Sequence, residues 1–378
     1  MEVKKLMRIY HDENMPFAKE FFGDLGTLTS FSGRQLTAEM IEDADVLLVR
    51  SITKVNQNLL GNNKSLKFVG TATIGVDHID KAYLKDRDIP FSSAPGCNAI
   101  SVAEYVLSAL VVMSERYLID LFTLKVGIVG AGNTGTRLSE KLDALGINYV
   151  MCDPILSANP SDKRNFTSLN EALACDVISL HVPLTQAGEH ATYHLLDQKR
   201  LSQLSSHQIL INACRGEVID NQALLQLKQK GMQTKLILDV WEGEPDLLHP
   251  LIEYAEIASA HIAGYSLEGK ARGTEMLYQA LCKQLNIPVK KTLKDLLPSA
   301  LISSVDIKQN FDEVLLNQMV KMVYDVRRDD GIFRQQINTQ GFDNIRKTYP
   351  ARREFSAVTV STSNQANIDV LHRLGFSQ

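Results

Sequence analysis

Val126-Gly-Ile-Val-Gly-Ala-Gly-Asn-Thr-Gly135 reads as a buried strand running straight into a glycine-rich turn. The apolar spacing of Leu138, Leu142 and Leu145 then predicts a helix, and Tyr149-Val-Met-Cys152 predicts a second strand that ends at Asp153. Gly130, Gly132 and Gly135 allow a tight turn in which backbone N–H groups, including those of Asn133 and Thr134, approach a pyrophosphate at a helix N-terminus. Asp153 lies 18 residues beyond Gly135, near the separation at which a carboxylate meets the adenosine ribose hydroxyls. That carboxylate would repel a 2′-phosphate, so the stretch favours NAD over NADP. The fold class expected is α/β, with parallel sheets built from βα units.

Three polar residues stand further along. Each falls just past a short apolar strand candidate: Arg215 after Gln208-Ile-Leu-Ile211, Glu244 after Lys235-Leu-Ile-Leu238, and His261 after Glu256-Ile-Ala258. In open parallel sheets ligands bind at that carboxyl edge. An arginine can hold a carboxylate and polarise a carbonyl, an imidazole can carry a proton, and a carboxylate can orient the ring. Together they suit proton and hydride chemistry on a 2-hydroxy or 2-oxo acid. Asp239 also ends a strand and competes with Glu244 as the partner of the histidine. His78, His181, His190 and His194 are the competing imidazoles, and His181 follows the strand Val177-Ile-Ser-Leu180. His190 and His194 have the i, i+4 spacing of metal ligands, but no third ligand is evident, and no metal is expected.

These motifs resemble the D-isomer-specific 2-hydroxyacid dehydrogenases. The general resemblance covers roughly residues 7–285. A narrower one, to a branch acting on a phosphorylated 2-hydroxy acid, runs through Asp12-Glu-Asn-Met-Pro16, Val49-Arg-Ser-Ile-Thr-Lys54, Ala94-Pro-Gly-Cys-Asn-Ala99, Asp239-Val-Trp-Glu-Gly-Glu-Pro245, His261-Ile-Ala-Gly-Tyr265 and Val323-Tyr-Asp-Val-Arg-Arg-Asp-Asp330. The resemblance implies Arg215, Glu244 and His261 as the catalytic set, with the acid immediately before proline. It implies Asp239 on the nicotinamide carboxamide, His181 and Gly264 along the cofactor, and Ser51, Thr73 and Tyr265 on the substrate. One departure stands out: the family usually carries proline before the catalytic histidine, and this chain has Ala260. Proline would stiffen the loop through its fixed φ. Basic candidates for a substrate phosphate are Arg50 and Lys54 nearby, and the pairs Arg327-Arg328 and Arg352-Arg353 at a distance. Neighbouring readings are a dehydrogenase of another acid, such as 3-phosphoglycerate, and an NAD-sensing regulatory protein.

Composition sets the bounds. The chain has 378 residues, 44% hydrophobic and 22% charged, with a net charge of −4, which argues against nucleic acid as a partner. No apolar run is long enough to span a membrane. Met1-Glu-Val-Lys-Lys-Leu-Met7 lacks the apolar stretch of a secretory signal. Five scattered cysteines, with no C-x-x-C, suggest free thiols in a reducing cytoplasm. The resemblance implies a discontinuous substrate-binding domain over 7–97 and 259–287, an NAD-binding domain over 98–258, and a cleft between them. Asn98 to Tyr117 reads as a helix apolar on most of its circumference, hence buried. Residues 288–378 read as a small α+β module with its own modest core. A stripe from Phe311 to Val326 looks too apolar to face water, and the resemblance implies a homodimer made by this tail.

Overall fold

The computed structural model describes residues 6–378; most of the stretch read for a signal, Met1 to Lys5, lies outside them. Two compact units emerge among the described residues, one running up to residue 98 and again over 267–298, the other of 99–266 and 299–378. No helix among the described residues is long and apolar enough to cross a membrane.

The first unit is a parallel sheet of β1 (Met7–Asp12), β2 (Gly26–Phe31), β3 (Val46–Val49), β4 (Phe68–Thr71) and β5 (Phe91–Ser92), in the order β2-β1-β3-β4-β5. β3 and β4 are fully buried, as continuous apolar runs in a covered parallel sheet should be. β2 escapes a reading of the sequence because Gly26-Thr-Leu-Thr-Ser-Phe31 is an edge strand, polar and partly exposed. Leu277, on a helix Leu267–Gln284, packs directly over Gly70 of β4, where a Cβ would lie only 3.0 Å from its methyls.

The second unit holds β6 (Lys125–Val129), β7 (Asn148–Cys152), β8 (Val177–Leu180), β9 (Ile209–Asn212), β10 (Lys235–Leu238) and β11 (Ala255–Ala258). The order is β11-β10-β9-β8-β6-β7, all parallel, and a bridge from Met151 to Phe166 continues it past β7. The strand order reverses between β6 and β8, and the glycine turn sits at that switch point, where such sheets bind ligands.

Domain boundaries differ from expectation in two places. The return to the first unit begins at Leu267 rather than 259, because residues 259–266 are hydrogen-bonded to Asp239 at the end of β10 and to Ser101. Residues 288–298 stay with the first unit, where Leu293, Leu296 and Leu297 join its core.

The tail from 299 has no separate core. Its strands β12 (Ser304–Ile307) and β13 (Thr359–Thr362) pair in parallel, but Ile307, Leu316, Met319, Val320, Phe355, Leu371 and Phe376 belong to the same apolar cluster as the helix α1 (Ala99–Tyr117) and the helix α2 (Asn133–Leu145). The stripe is split: α3 (Glu313–Val323) ends at extended Tyr324, and α4 (Val326–Gln340) starts afresh with the Asp325 carboxylate accepting from Arg327 N–H. Leu315, Leu316, Met319 and Val320 are buried within this chain, so the apolar stripe by itself no longer calls for a partner. α1 is buried nearly all round because the tail covers it. Its serines mark the joint: Ser108 donates to Tyr324 O at 2.8 Å, Ser114 to Glu313 at 2.5 Å, and Ser101 to the buried Glu354 at 2.9 Å.

Candidate active site

Gly130 ends β6 with φ of 94°, a left-handed conformation that favours glycine. A Cβ there would also meet the His181 carbonyl carbon at 2.6 Å. Gly132 caps α2, and a Cβ on it would meet nothing within 4 Å. The start of α2, from Asn133 and Thr134, therefore opens outward with its N–H groups available to an anion. Gly135 packs on Gly130 O, which sets the helix tight against the strand. Asp153, at the end of β7, accepts from Ala131 N–H and Leu156 N–H, each at 3.0 Å. Its carboxylate is thus fixed against the glycine turn. These residues fit a dinucleotide with a free ribose diol.

Asp153→Ala is expected to weaken NAD binding about 10–100-fold, the worth of charged hydrogen bonds, and to narrow the NAD-to-NADP gap. Titration of both cofactors checks this, and an unchanged ratio would remove Asp153 from the site.

His181 lies beside the same turn. Burial pushes its imidazole down to about 4, so it is neutral at working pH. Nε2 meets Ser179 Oγ at 2.8 Å, while buried Nδ1 has no partner among the described residues. That orphan nitrogen is consistent with a polar ligand in the cofactor region.

The catalytic candidates gather at the ends of β9, β10 and β11. His261 Nδ1 lies 2.7 Å from Glu244 Oε2, and the second oxygen of Glu244 accepts from Trp241 N–H at 2.9 Å. Burial alone would raise the Glu244 carboxyl. The charge of His261, its hydrogen bond and the charge of Arg346 outweigh that and hold it below its ordinary value. The His261 side chain keeps 30% exposure, so the ring is held from behind while its other face stays reachable. Arg215 follows β9; its carbonyl accepts from Asn212 Nδ2 at 2.9 Å, and its Nη1 donates to Cys214 O at 2.7 Å. The next residue, Gly216, lies against the Trp241-Glu242 backbone so closely that a Cβ would overlap it. The loop bearing Arg215 and the loop bearing Glu244 are therefore packed together.

Asp239 has a different task from Glu244. It is 1% exposed and accepts from Ser259 Oγ at 2.6 Å, Ile262 N–H at 2.8 Å and Ala263 N–H at 2.9 Å. His261 N–H donates to its carbonyl at 2.6 Å. Burial pushes its carboxyl above its ordinary value, against the pull of His261 and these donors. This clamp answers the missing proline at Ala260. His261 sits at φ 55°, and the loop is fixed by hydrogen bonds on both sides of it rather than by a ring.

His194 does gain two acidic neighbours, though not His190. Its Nε2 lies 2.7 Å from Glu242, its Nδ1 3.7 Å from Asp220, and Glu242 and Asn221 exchange hydrogen bonds. The arrangement ties down the loop that carries Glu244.

Of the substrate candidates, Tyr265 closes the same loop as His261. Ser51 and Thr73 lie in the first unit, just past β3 and β4; the Thr73 hydroxyl donates to Gly75 O at 2.8 Å. Gly264 follows Ala263, whose carbonyl accepts from Arg352. Arg352 is not a phosphate residue: it is 2% exposed, stacks 3.6 Å over Tyr324 and donates to Ala263 O and Ser101 O. Arg327 is paired with Asp325, and Arg328 with Asp329. Arg50 is buried and Lys54 exposed. Sequence reasoning missed Arg346, whose Nη2 donates to Tyr265 Oη at 2.8 Å. The signal was present: Phe342, Ile345 and Arg346 share one helix face at i, i+3, i+4 spacing, so the arginine points inward with its apolar neighbours.

Comparison with known proteins gives the family. Residues 106–263 match the D-isomer specific 2-hydroxyacid dehydrogenase, NAD binding domain, and residues 296–375 match a domain of unknown function, DUF3410. The erythronate-4-phosphate dehydrogenase of Colwellia psychrerythraea is 62% identical, over 98% of this chain and all of the relative. That of Tolumonas auensis is 55% identical over 98% and 99%. Among solved structures, D-lactate dehydrogenase from Aquifex aeolicus, complexed with NAD and lactic acid, is 26% identical with a TM-score of 0.60, covering 74% of this chain and 95% of that one. The NAD+-bound 3-phosphoglycerate dehydrogenase of Entamoeba histolytica shares the fold, with a TM-score of 0.63 at 21% identity over 76% of this chain and all of that one. With nearly full-length identity above one half to these relatives, the chain belongs to the erythronate-4-phosphate dehydrogenases, within the D-isomer specific 2-hydroxyacid dehydrogenase family.

Proposed function

We propose that the chain oxidises 4-phospho-D-erythronate to 3-hydroxy-2-oxo-4-phosphooxybutanoate with NAD+, a step toward pyridoxal phosphate. The observation that carries this reading is the 2.7 Å His261–Glu244 pair at the carboxyl edge of an NAD-binding sheet. NAD+, when bound, accepts the hydride from C2 at its nicotinamide ring. His261 takes the proton of the C2 hydroxyl, and Glu244 holds the ring and balances the charge it gains. Arg215 holds the substrate carboxylate and the developing carbonyl oxygen. Ser51, Thr73 and Tyr265 contact the acid, and Asp239 and Gly264 line the nicotinamide end. A panel of phosphorylated and plain hydroxy acids tests the reading through the appearance of reduced-nicotinamide absorbance. Turnover should be fastest with 4-phospho-D-erythronate. Preference for 3-phosphoglycerate would reassign the substrate, and NAD binding without turnover on any acid would point to a regulatory protein.

The working form is a homodimer in the cytoplasm. Exposed Leu301, Ile302 and Val314 on the tail support a contact between copies, and five free, buried cysteines suit a reducing compartment. Sedimentation at micromolar concentration should give a dimer; a monomer would end the idea.

A further inference from the structure

The tail lies along the catalytic loop of its own chain. Asp330 accepts from Ala258 N–H at 2.7 Å and so covers the edge of β11. Phe333 stacks on Trp241 with ring centroids 5.6 Å apart. Arg352 holds Ala263 O at 3.1 Å, and Arg346, on the short helix Phe342–Lys347, reaches Tyr265. Four tail residues thus touch Trp241 and the segment from Ala258 to Tyr265, which carries His261.

Arg346 and Arg352 both leave a buried Nε without a partner, but Arg352 fills both of its Nη groups and Arg346 only one. A guanidinium offers five N–H donors in a planar fork. Among the described residues its one hydrogen bond is the 2.8 Å contact from Nη2 to Tyr265 Oη. Nε is buried with no partner. The group lies 5.5 Å from the Tyr265 ring centroid and 5.7 Å from that of Phe342, so its plane is held between aromatic walls. Of the acids near it, Glu244, Asp343 and Asp239, Glu244 holds His261 and Trp241 N–H, and Asp239 is filled by three donors. Arg346 is half-buried, with Nε sealed from solvent, and a permanently charged fork with unfilled donors in such a place is stabilised when an anion completes it. Arg327, Arg328 and Arg352 are each bound to other groups, as described above.

We infer that Arg346, together with the Tyr265 hydroxyl, recognises the anionic end of the substrate remote from C2, a phosphate monoester. The C-terminal module of unknown function would then be a specificity element of the active site. This rests on the proposed dehydrogenase reading and deepens it. A phosphate dianion accepts the paired N–H groups of a guanidinium in a geometry that an ammonium cannot match.

The test compares kcat/KM for 4-phospho-D-erythronate and plain D-erythronate in the wild type, Arg346→Ala and Arg346→Lys, with the NAD dissociation constant and inhibition by inorganic phosphate measured alongside. The preference for the phosphorylated acid should fall about 10–100-fold in Arg346→Ala, mainly through KM, and less in Arg346→Lys. Phosphate inhibition should weaken in the same order while NAD binding holds. An unchanged preference in both variants, or an equal loss of kcat on both acids, would overturn the assignment. If Arg346→Ala does not fold, Arg346→Lys and phosphate inhibition decide the matter. A wild type inactive on both acids would refute the proposed reaction instead, and phosphate binding by calorimetry, retained or lost in Arg346→Lys, would still judge Arg346.

Discussion

His261→Ala is expected to lower turnover by about 10²–10⁴-fold, the usual worth of a positioned general acid–base, with NAD binding nearly intact. The ring is held at Nδ1 by Glu244 and is partly exposed, so its loss removes proton transfer without disturbing the glycine turn, which lies on a separate loop after β6. Glu244→Gln should act differently. Oxidation needs the ring aimed at the C2 hydroxyl and the charge it gains balanced, and the Glu244 carboxylate at Nδ1 serves both. Without that anion turnover should fall in both directions, by less than in His261→Ala, while NAD binding holds. Steady-state rates measured beside the NAD dissociation constant check this, and unchanged turnover would take Glu244 out of the proton transfer. The depressed Glu244 carboxyl also contributes stability that is present above the ordinary carboxylate range and is lost as pH falls through its folded-state value.

Asp239→Ala should be felt first as stability. Three donors, Ser259 Oγ, Ile262 N–H and Ala263 N–H, would be left buried and unsatisfied at about 1–3 kcal/mol each, so a total loss of about 3 kcal/mol or more is expected. Turnover should also fall, because the loop that aims His261 loses its clamp. Glu244→Gln, by contrast, should shift the thermal midpoint far less while lowering turnover. Thermal unfolding of the two variants side by side separates the roles. Equal midpoints would show that the loop is held by something other than Asp239.

The core of the fold was legible because its buried strands are continuous apolar runs that end in glycine or an acid. Val126 to Gly130 and Leu236 to Asp239 are examples, and the catalytic residues stand close to where such runs stop. What stayed hidden depends on partners distant in sequence. Gly26–Phe31 is a strand through its pairing with β1, not through its own polar pattern. Nothing in the stripe from Phe311 reveals whether it covers α1 of the same chain or another copy. Ser101, Ser108 and Ser114 hinted at a polar joint on α1, but their partners lie some two hundred or more residues away. Paired arginines drew the search for a phosphate site, whereas the single Arg346 is the one that reaches the Tyr265 hydroxyl.

The direct measurement of the proposed reaction uses 4-phospho-D-erythronate carrying deuterium at C2. After one turnover with NAD+, the label should appear on the nicotinamide ring of the reduced cofactor, and His261→Ala should slow its arrival by the same factor as turnover. Label released to water, or no reduced cofactor at all, would contradict hydride transfer from C2.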